Sequence, residues 1–496
     1  MRLQRFLNSF SNPPTAVLLF CVGLFLRVIY TCFFSHFFAE NYLNTNSVLY
    51  DGKDFGAWLT AFKSLISNGN FTADANHPYG YFGRMPGYSF FIGFFYVIIG
   101  KAYYLYVLVA LQVLMDSLNI ILLYHITKKI FPHSAFIFVP ALLYAIHPIN
   151  IIWAPVLMSE CLSLFLMIIG FYYLIVSSNK WNYAIAGSLF GFNILVRPQV
   201  AVLTLVIGCV LLMRYLYLNR STILLKQLLT FSVFVCLLYG TWPVRNYWLH
   251  DKILFSHDIR GMKAWSIDVY GYMWYNFSIQ TNWDPQFSQI VKNQDFTINK
   301  QIAYAAPSDS IDLARAIYLS KNCGSGFSNW PNYWKNSVTT NNCDTVIFNL
   351  FLKLRAHQIQ YNGWHYWVTL PLKNLQKCFF KNDLTVPGKS LIYNIMPLAF
   401  LFRTIILILG LIGCVYLILQ KRPYRYFFII CISFFISWYG SICFGPGANM
   451  RNIEMRYLMQ ADNLLIIPII SFFIFFEKRT LINKKKTLIT SEIRQN

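Results

Sequence analysis

Long apolar runs separated by short polar corners organise this chain. A helix needs about 20 apolar residues to cross the hydrocarbon core of a bilayer. Runs near that length occur at 15–38, 103–126, 135–151, 157–176, 183–196, 199–215, 226–243, 396–419, 426–444 and 458–476, which predicts about ten crossings. Gly87 to Gly100 is apolar but short. If it crossed, Lys128 and Lys129 would face outward, against the excess of Lys and Arg that cytoplasmic loops carry. It therefore reads as an interfacial or re-entrant segment of the first outer loop. Both termini then fall on the cytoplasmic side.

The expected fold is an all-α polytopic transmembrane bundle with an extracytoplasmic loop domain. Residues 1–244 form an N-terminal transmembrane region with a first outer loop at 40–100. Residues 245–395, rich in Asn, Trp and Tyr, are too long and polar for a simple connection and form the loop domain. Its later part, Leu350 to Phe380, mixes aromatic and basic residues like an amphipathic stretch on a membrane surface. Residues 396–476 return to the membrane, and 477–496 are a basic cytoplasmic tail.

Composition removes the soluble alternatives. The chain is 56% hydrophobic and 12% charged, with a mean hydropathy of +0.46, far from an ordinary water-soluble domain. A net charge of +22 could point to nucleic acid, but the cations sit in short runs beside apolar stretches: Lys180; Arg214, Arg220 and Lys226; Lys421, Arg422 and Arg425; and the tail. Membrane topology accounts for them, so no nucleic-acid partner is expected. The first apolar run follows Arg2 and Arg5, yet Val17 to Phe38 is long and no small-residue cleavage site closes it, so it reads as a retained span. Most of the 11 cysteines sit singly in apolar segments as small hydrophobes. Cys323 and Cys343 lie in the polar region placed outside the cytoplasm, where a disulfide can form.

The candidate chemistry gathers at outer corners. The first loop reads YDGKDFGAW and then NHPYGYFGRMPGYSF, bringing Asp51, Asp54, His77 and Arg84 near the outer face. A carboxylate there can take the proton of an attacking hydroxyl, or be an ordinary solvated charge. Glu160 opens an apolar helix behind Ser159, where a cap would sit. That position is electrostatically comfortable, yet ionisable groups at membrane depth default to functional candidates. Arg197 in ILVRPQ and Arg245 in GTWPVRNYW could hold a lipid-carrier phosphate, or simply snorkel to the interface.

The order of these motifs resembles the GT-C class of integral membrane glycosyltransferases, of the protein O-mannosyltransferase and lipid A aminoarabinose transferase kind. The matching residues are Asp51 with Phe55, Arg84 and Pro86 with Tyr88, His147-Pro148 leading to Ser159-Glu160, Arg197-Pro198, Arg245-Asn246-Tyr247, and the late EMRYL at 454–458 that carries Arg456. The likeness is strongest over residues 15–250. It implies an inverting transfer of a sugar from a polyprenyl-phosphate donor to a cell-envelope acceptor at the outer membrane face, in a bacterial inner membrane. By position, Asp51 is the base, with Asp54 as the other candidate because relatives carry an acidic pair where this chain has Asp51-Gly52. Glu160 orients acceptor or metal, and Arg84, Arg197 and Arg245 stabilise the leaving phosphate. Tyr88, His147, Asn246 and Arg456 join the binding set. A divalent cation could assist as a Lewis acid, but no ligand cluster in the sequence demands one. The partners implied are the lipid-linked donor, the acceptor and membrane lipids. An oligosaccharyltransferase or glycan ligase of the same fold, and a flippase for a lipid-linked saccharide, are the competing expectations. Neither inverted repeats nor midplane charges are evident in the sequence to favour the flippase.

Overall fold

The computed structural model describes residues 13–35, 55–75, 80–177, 179, 181–217, 220–258, 266–280, 303–329, 338, 340–380, 391–420, 424–444 and 455–477. The protein is an all-α membrane bundle, with no strand among the described residues. Seven helices there are long and apolar enough to cross a membrane, and three more, Pro86–Ile99, Ser159–Ile175 and Asn182–Val196, are apolar but shorter.

The N-terminal half runs α1 (Pro13–Ile29, continued by a π turn), α2 (Phe55–Asn68), α3 (Pro86–Ile99), α4 (Tyr104–Ile130), α5 (Val139–Ala145), α6 (Pro148–Trp153), α7 (Ser159–Ile175), α8 (Asn182–Val196), α9 (Val200–Tyr217), α10 (Thr222–Tyr239) and α11 (Thr241–His250). The crossing expected at 135–151 is not one helix but two, α5 and α6. Proline explains the break: His147 must be extended ahead of Pro148, and Pro148 can start a helix but cannot continue one. The outward side of α10 exposes Leu229, Val233 and Leu237, an aliphatic face that lipid covers without cost.

A helical module follows, made of α12 (Ile267–Ile279), α13 (Asp309–Asn322), α14 (Ser325–Asn329) and α15 (Asn342–Tyr361). It has a core of its own in which Tyr272 and Tyr275 pack on Phe351. A disulfide joins Cys323 and Cys343 across a Cα–Cα distance of 6.1 Å, so the two polar-region cysteines are paired. The expected amphipathic stretch continues from α15 through a π turn into α16 (Leu370–Phe380). There Leu370, Asn374 and Cys378 turn inward while Trp364, Trp367, Leu372 and Phe380 stay exposed. The chain closes with α17 (Leu391–Leu419), α18 (Arg425–Phe444) and α19 (Met455–Leu464).

Two buried ionic triads pin the bundle. Arg27 of α1 donates from Nε to Asp116 of α4 at 2.5 Å, the Tyr144 hydroxyl donates to the other Asp116 oxygen at 2.5 Å, and Arg27 also reaches the carbonyls of Gly23, Tyr144 and Ala145. The same arrangement joins α17, α18 and α19: Arg403 Nε to Asp462 at 2.7 Å, Tyr439 to the second Asp462 oxygen at 2.5 Å, and Arg403 onto the Cys378 carbonyl and the Tyr439 oxygen. Next to the second triad, Asn150 of α6 and Asn463 of α19 exchange amide hydrogen bonds of 2.7 and 3.1 Å. These bonds tie α19 to the N-terminal half.

Candidate active site

The C-terminal end of α8 begins the site. Arg197 precedes Pro198, is forced extended (φ −144°, ψ 110°) and so ends the helix. Asn193, one turn earlier, donates to the Ser163 carbonyl at 2.9 Å and fixes α8 against α7. With that register the Arg197 guanidinium lies across the start of α7. There it meets Glu160 Oε1 at 2.5 Å and the Ser159 hydroxyl at 3.3 Å. Ser159 is therefore not the cap that the sequence suggests. Met158 occupies the cap position with no side-chain bond, and the serine oxygen is drawn to the arginine instead.

Helix α19 delivers a second cation. Arg456 Nε lies 3.8 Å from the same Glu160 oxygen, its Nη1 rests 3.1 Å from Met158 Sδ, and its guanidinium stacks on Tyr457 at 5.1 Å. Glu160 is 2% exposed, and its other oxygen, Oε2, is buried without a hydrogen-bond partner. One carboxylate thus faces two guanidiniums at a helix N-terminus, whose own dipole is positive. The group carries surplus positive charge and one open acceptor atom.

Helix α3 closes the other side because Gly87 permits it. A Cβ at Gly87 would fall 2.6 Å from the Leu195 carbonyl carbon and the Val196 nitrogen, so only glycine lets α3 approach the end of α8 this closely. The approach buries Arg84, whose guanidinium lies 4.6 Å over the Trp58 ring, and Tyr88, whose ring meets Trp58 edge-on at 5.1 Å. Tyr88 donates to Gln112 of α4 at 3.0 Å. Gln112 donates to the Ala154 and Val156 carbonyls, and its own carbonyl accepts from Cys161, the residue after Glu160. Trp58 and Gln112 were not among the sequence candidates. A signal for Gln112 existed, since polar groups inside an apolar helix need partners.

The structure therefore brings together Glu160, Arg197 and Arg456, with Arg84 and Tyr88 joined through Trp58 and Gln112. Arg245 and Asn246 fall elsewhere. Arg245 donates to the Tyr81 and Phe71 carbonyls at 3.0 and 2.9 Å and stacks on Trp242, while Asn246 accepts from Arg245 and donates to the Leu254 carbonyl. They brace the first loop. His147 is buried at the α5–α6 break, its ring in an edge-type contact with Phe402 rather than against Glu160 or Arg197. Asp51, Asp54 and His77 lie outside the described residues. Phe55, immediately after Asp54, is buried and stacked on Tyr104 at the start of α4. For a divalent cation, the described cluster offers one carboxylate against two guanidiniums. That donor set does not fit such an ion.

No family model matches this chain, and no curated protein matches it. Solved structures do. The oligosaccharyltransferase of Archaeoglobus fulgidus tethered with an acceptor peptide containing the NVT sequon aligns at a TM-score of 0.50 and 14% identity over 95% of this chain and 51% of its own. The oligosaccharyltransferase AglB of the same organism, in complex with an inhibitory peptide and a dolichol-phosphate, aligns at 0.50 and 12% over 95% and 52%. The apo form aligns at 0.50 and 14% over 97% and 53%. The fold is the GT-C fold of these archaeal proteins. This chain spans about half their length. The class that the motif order resembles is thus met at the level of fold, while the O-mannosyltransferase or aminoarabinose-transferase subclass is a finer matter.

Proposed function

We propose that this protein is a membrane glycosyltransferase that moves a sugar from a polyprenyl-phosphate donor to a cell-envelope acceptor outside the cytoplasm, with inversion at the anomeric carbon. The observation that carries the proposal is the buried Glu160–Arg197–Arg456 group, cationic in sum and open at Glu160 Oε2. In the reaction an acceptor oxygen attacks the anomeric carbon as the bond from that carbon to the phosphate oxygen breaks. The polyprenyl phosphate leaves with the electron pair. Arg197 and Arg456, with Arg84 nearby, neutralise it, and charge stabilisation of this kind is usually the largest catalytic contribution. Glu160 holds the two guanidiniums in place and offers Oε2 to an acceptor hydroxyl. Asp51, or Asp54, takes the acceptor's proton. Arg245 and Asn246 support the loop that carries these aspartates, and His147 is a packing residue of the bundle. A bacterial inner membrane with both termini cytoplasmic and residues 245–395 outside suits this reading, as does the Cys323–Cys343 bond in the helical module.

An oligosaccharide rather than a single sugar is the second reading. It is favoured by the fold shared with archaeal oligosaccharyltransferases and opposed by the modest size of the polar region at 245–395. The test is transfer from a polyprenyl-phosphate sugar to native envelope acceptors by folded, membrane-inserted Asp51→Asn, Asp54→Asn and Glu160→Gln proteins, with the mass and anomeric configuration of the product recorded. Expected are abolished transfer with Asp51→Asn, a strong fall with Glu160→Gln, near wild-type transfer with Asp54→Asn, and a wild-type product heavier by one sugar with inverted anomeric configuration. Wild-type rates from all three variants would remove these carboxylates from the mechanism.

A further inference from the structure

The end of α7 opposite Glu160 holds a second unbalanced charge. Phe171 and Ile175 of α7, Ile207 and Val210 of α9, and Phe427 and Ile430 of α18 wall a cavity of about 190 Å³. At 1.5 Å rise per residue, Phe171 is about 16 Å along the helix from Glu160, so this is a separate place. Its rim is basic. Arg214 lies 5.4 Å over the Tyr426 ring, and Arg425 lies 5.1 Å over the same ring and donates to its hydroxyl at 3.3 Å. Two cations thus share one aromatic face. Neither has a carboxylate partner among the described residues, and Arg214 Nε is buried without a hydrogen bond. Such a pair repels unless an anion lies between or beside it.

We propose that this cavity binds an anionic glycerophospholipid, with its phosphate on Arg214 and Arg425 and part of one acyl chain along the apolar walls. Basic pockets between membrane helices recognise lipid head groups in this way. The size decides against an enclosed saccharide or nucleotide, which need roughly 300–1,000 Å³. Both arginines also belong to the loop cations that the topology rule places on the cytoplasmic side, where anionic lipid concentrates.

The experiment uses the full chain in detergent with dioleoyl phosphatidylglycerol or dioleoyl phosphatidylcholine, counting retained lipid by native mass spectrometry. Wild type should retain the anionic lipid preferentially. Arg214→Gln and Arg425→Gln should each cut that preference by about five-fold, the size of one arginine–headgroup contact, and Val210→Trp should do so by filling the cavity while both charges remain. Equal retention of the two lipids by wild type overturns the proposal, as does an unchanged preference in a folded Arg214→Gln or Arg425→Gln protein. Inorganic phosphate added with the anionic lipid should not displace it. If phosphate alone displaces the anionic lipid, the site is for free anion, not lipid. The readout is binding, so its failure leaves the reading of Glu160 untouched.

Discussion

The Arg27–Asp116–Tyr144 and Arg403–Asp462–Tyr439 triads and the Glu160 group are all buried ions inside one bundle, and they differ in completeness. In each triad both carboxylate oxygens are engaged, one by arginine and one by tyrosine, and the charges cancel. At Glu160 one oxygen takes two guanidiniums and the other takes nothing. A satisfied ionic network rigidifies, whereas an open one is costly to keep without a ligand. The triads are therefore struts between helices, and the open Glu160 group is where we propose the site.

The largest effects should come from breaking a strut. Asp462→Ala leaves Arg403 buried without its counter-charge and should cost about 3–5 kcal/mol of stability, read as unfolding in mixed micelles. Replacing both members by Met and Leu should recover most of that loss. Transfer per folded molecule should stay near wild type throughout. A cost under about 1 kcal/mol for Asp462→Ala would mean that the triad is not a strut and that the comparison fails on that side.

Glu160 should behave the opposite way. Glu160→Gln keeps the side-chain shape, so unfolding should shift little, while transfer should fall by about 10²–10³-fold, the usual consequence of losing one preorganised group at a developing charge. Arg197→Gln should do the same to transfer. If either variant instead unfolds like Asp462→Ala and retains its specific activity, the group is a third strut.

How much of this could be read from the sequence follows from range. Apolar runs declare membrane helices, because the bilayer acts on every residue of a run, and α1, α4, α9, α17 and α18 lie where the runs are. The motif corners around Glu160, Arg197 and Arg456 were also visible, and these three side chains lie together. The struts were not, since Arg27 and Asp116 stand 89 residues apart and Arg403 and Asp462 59 apart, and nothing local pairs them. Arg245 shows a related limit of the sequence. An arginine at a span end looks the same whether it awaits a phosphate or already holds the Phe71 and Tyr81 carbonyls. The break at Pro148 was legible, and run length outweighed it.

A third treatment of buried charge sharpens the comparison, and it lies in the helical module. Asp268 at the start of α12 is fully buried, and its Oδ2 accepts from the Gly326 and Phe327 amides. Burial, then the nearby Asp344 carboxylate, pushes its carboxyl up from 3.8 to about 6. No cation faces it among the described residues, so below about pH 6 a proton neutralises it. The folded module then holds a proton that the unfolded chain has released. That contribution is whole below pH 3.8 and is lost as the pH rises through about 6. The interval corresponds to ~3 kcal/mol. Asp309 does not blur the window. Burial works against its charge, but the His357 hydrogen bond and the Ala305 and Ala306 amides outweigh it and hold its carboxyl below the usual range. Its own contribution to stability is therefore whole above the usual 3.8 and is lost only as the pH falls further. Hydrogen exchange of the α12 and α15 amides, corrected for the intrinsic rate, should show protection falling between pH 4.5 and 7, and Asp268→Asn should flatten that slope. A flat wild-type profile would mean that Asp268 is charged in the fold and needs a counter-ion, as Asp116 and Asp462 do.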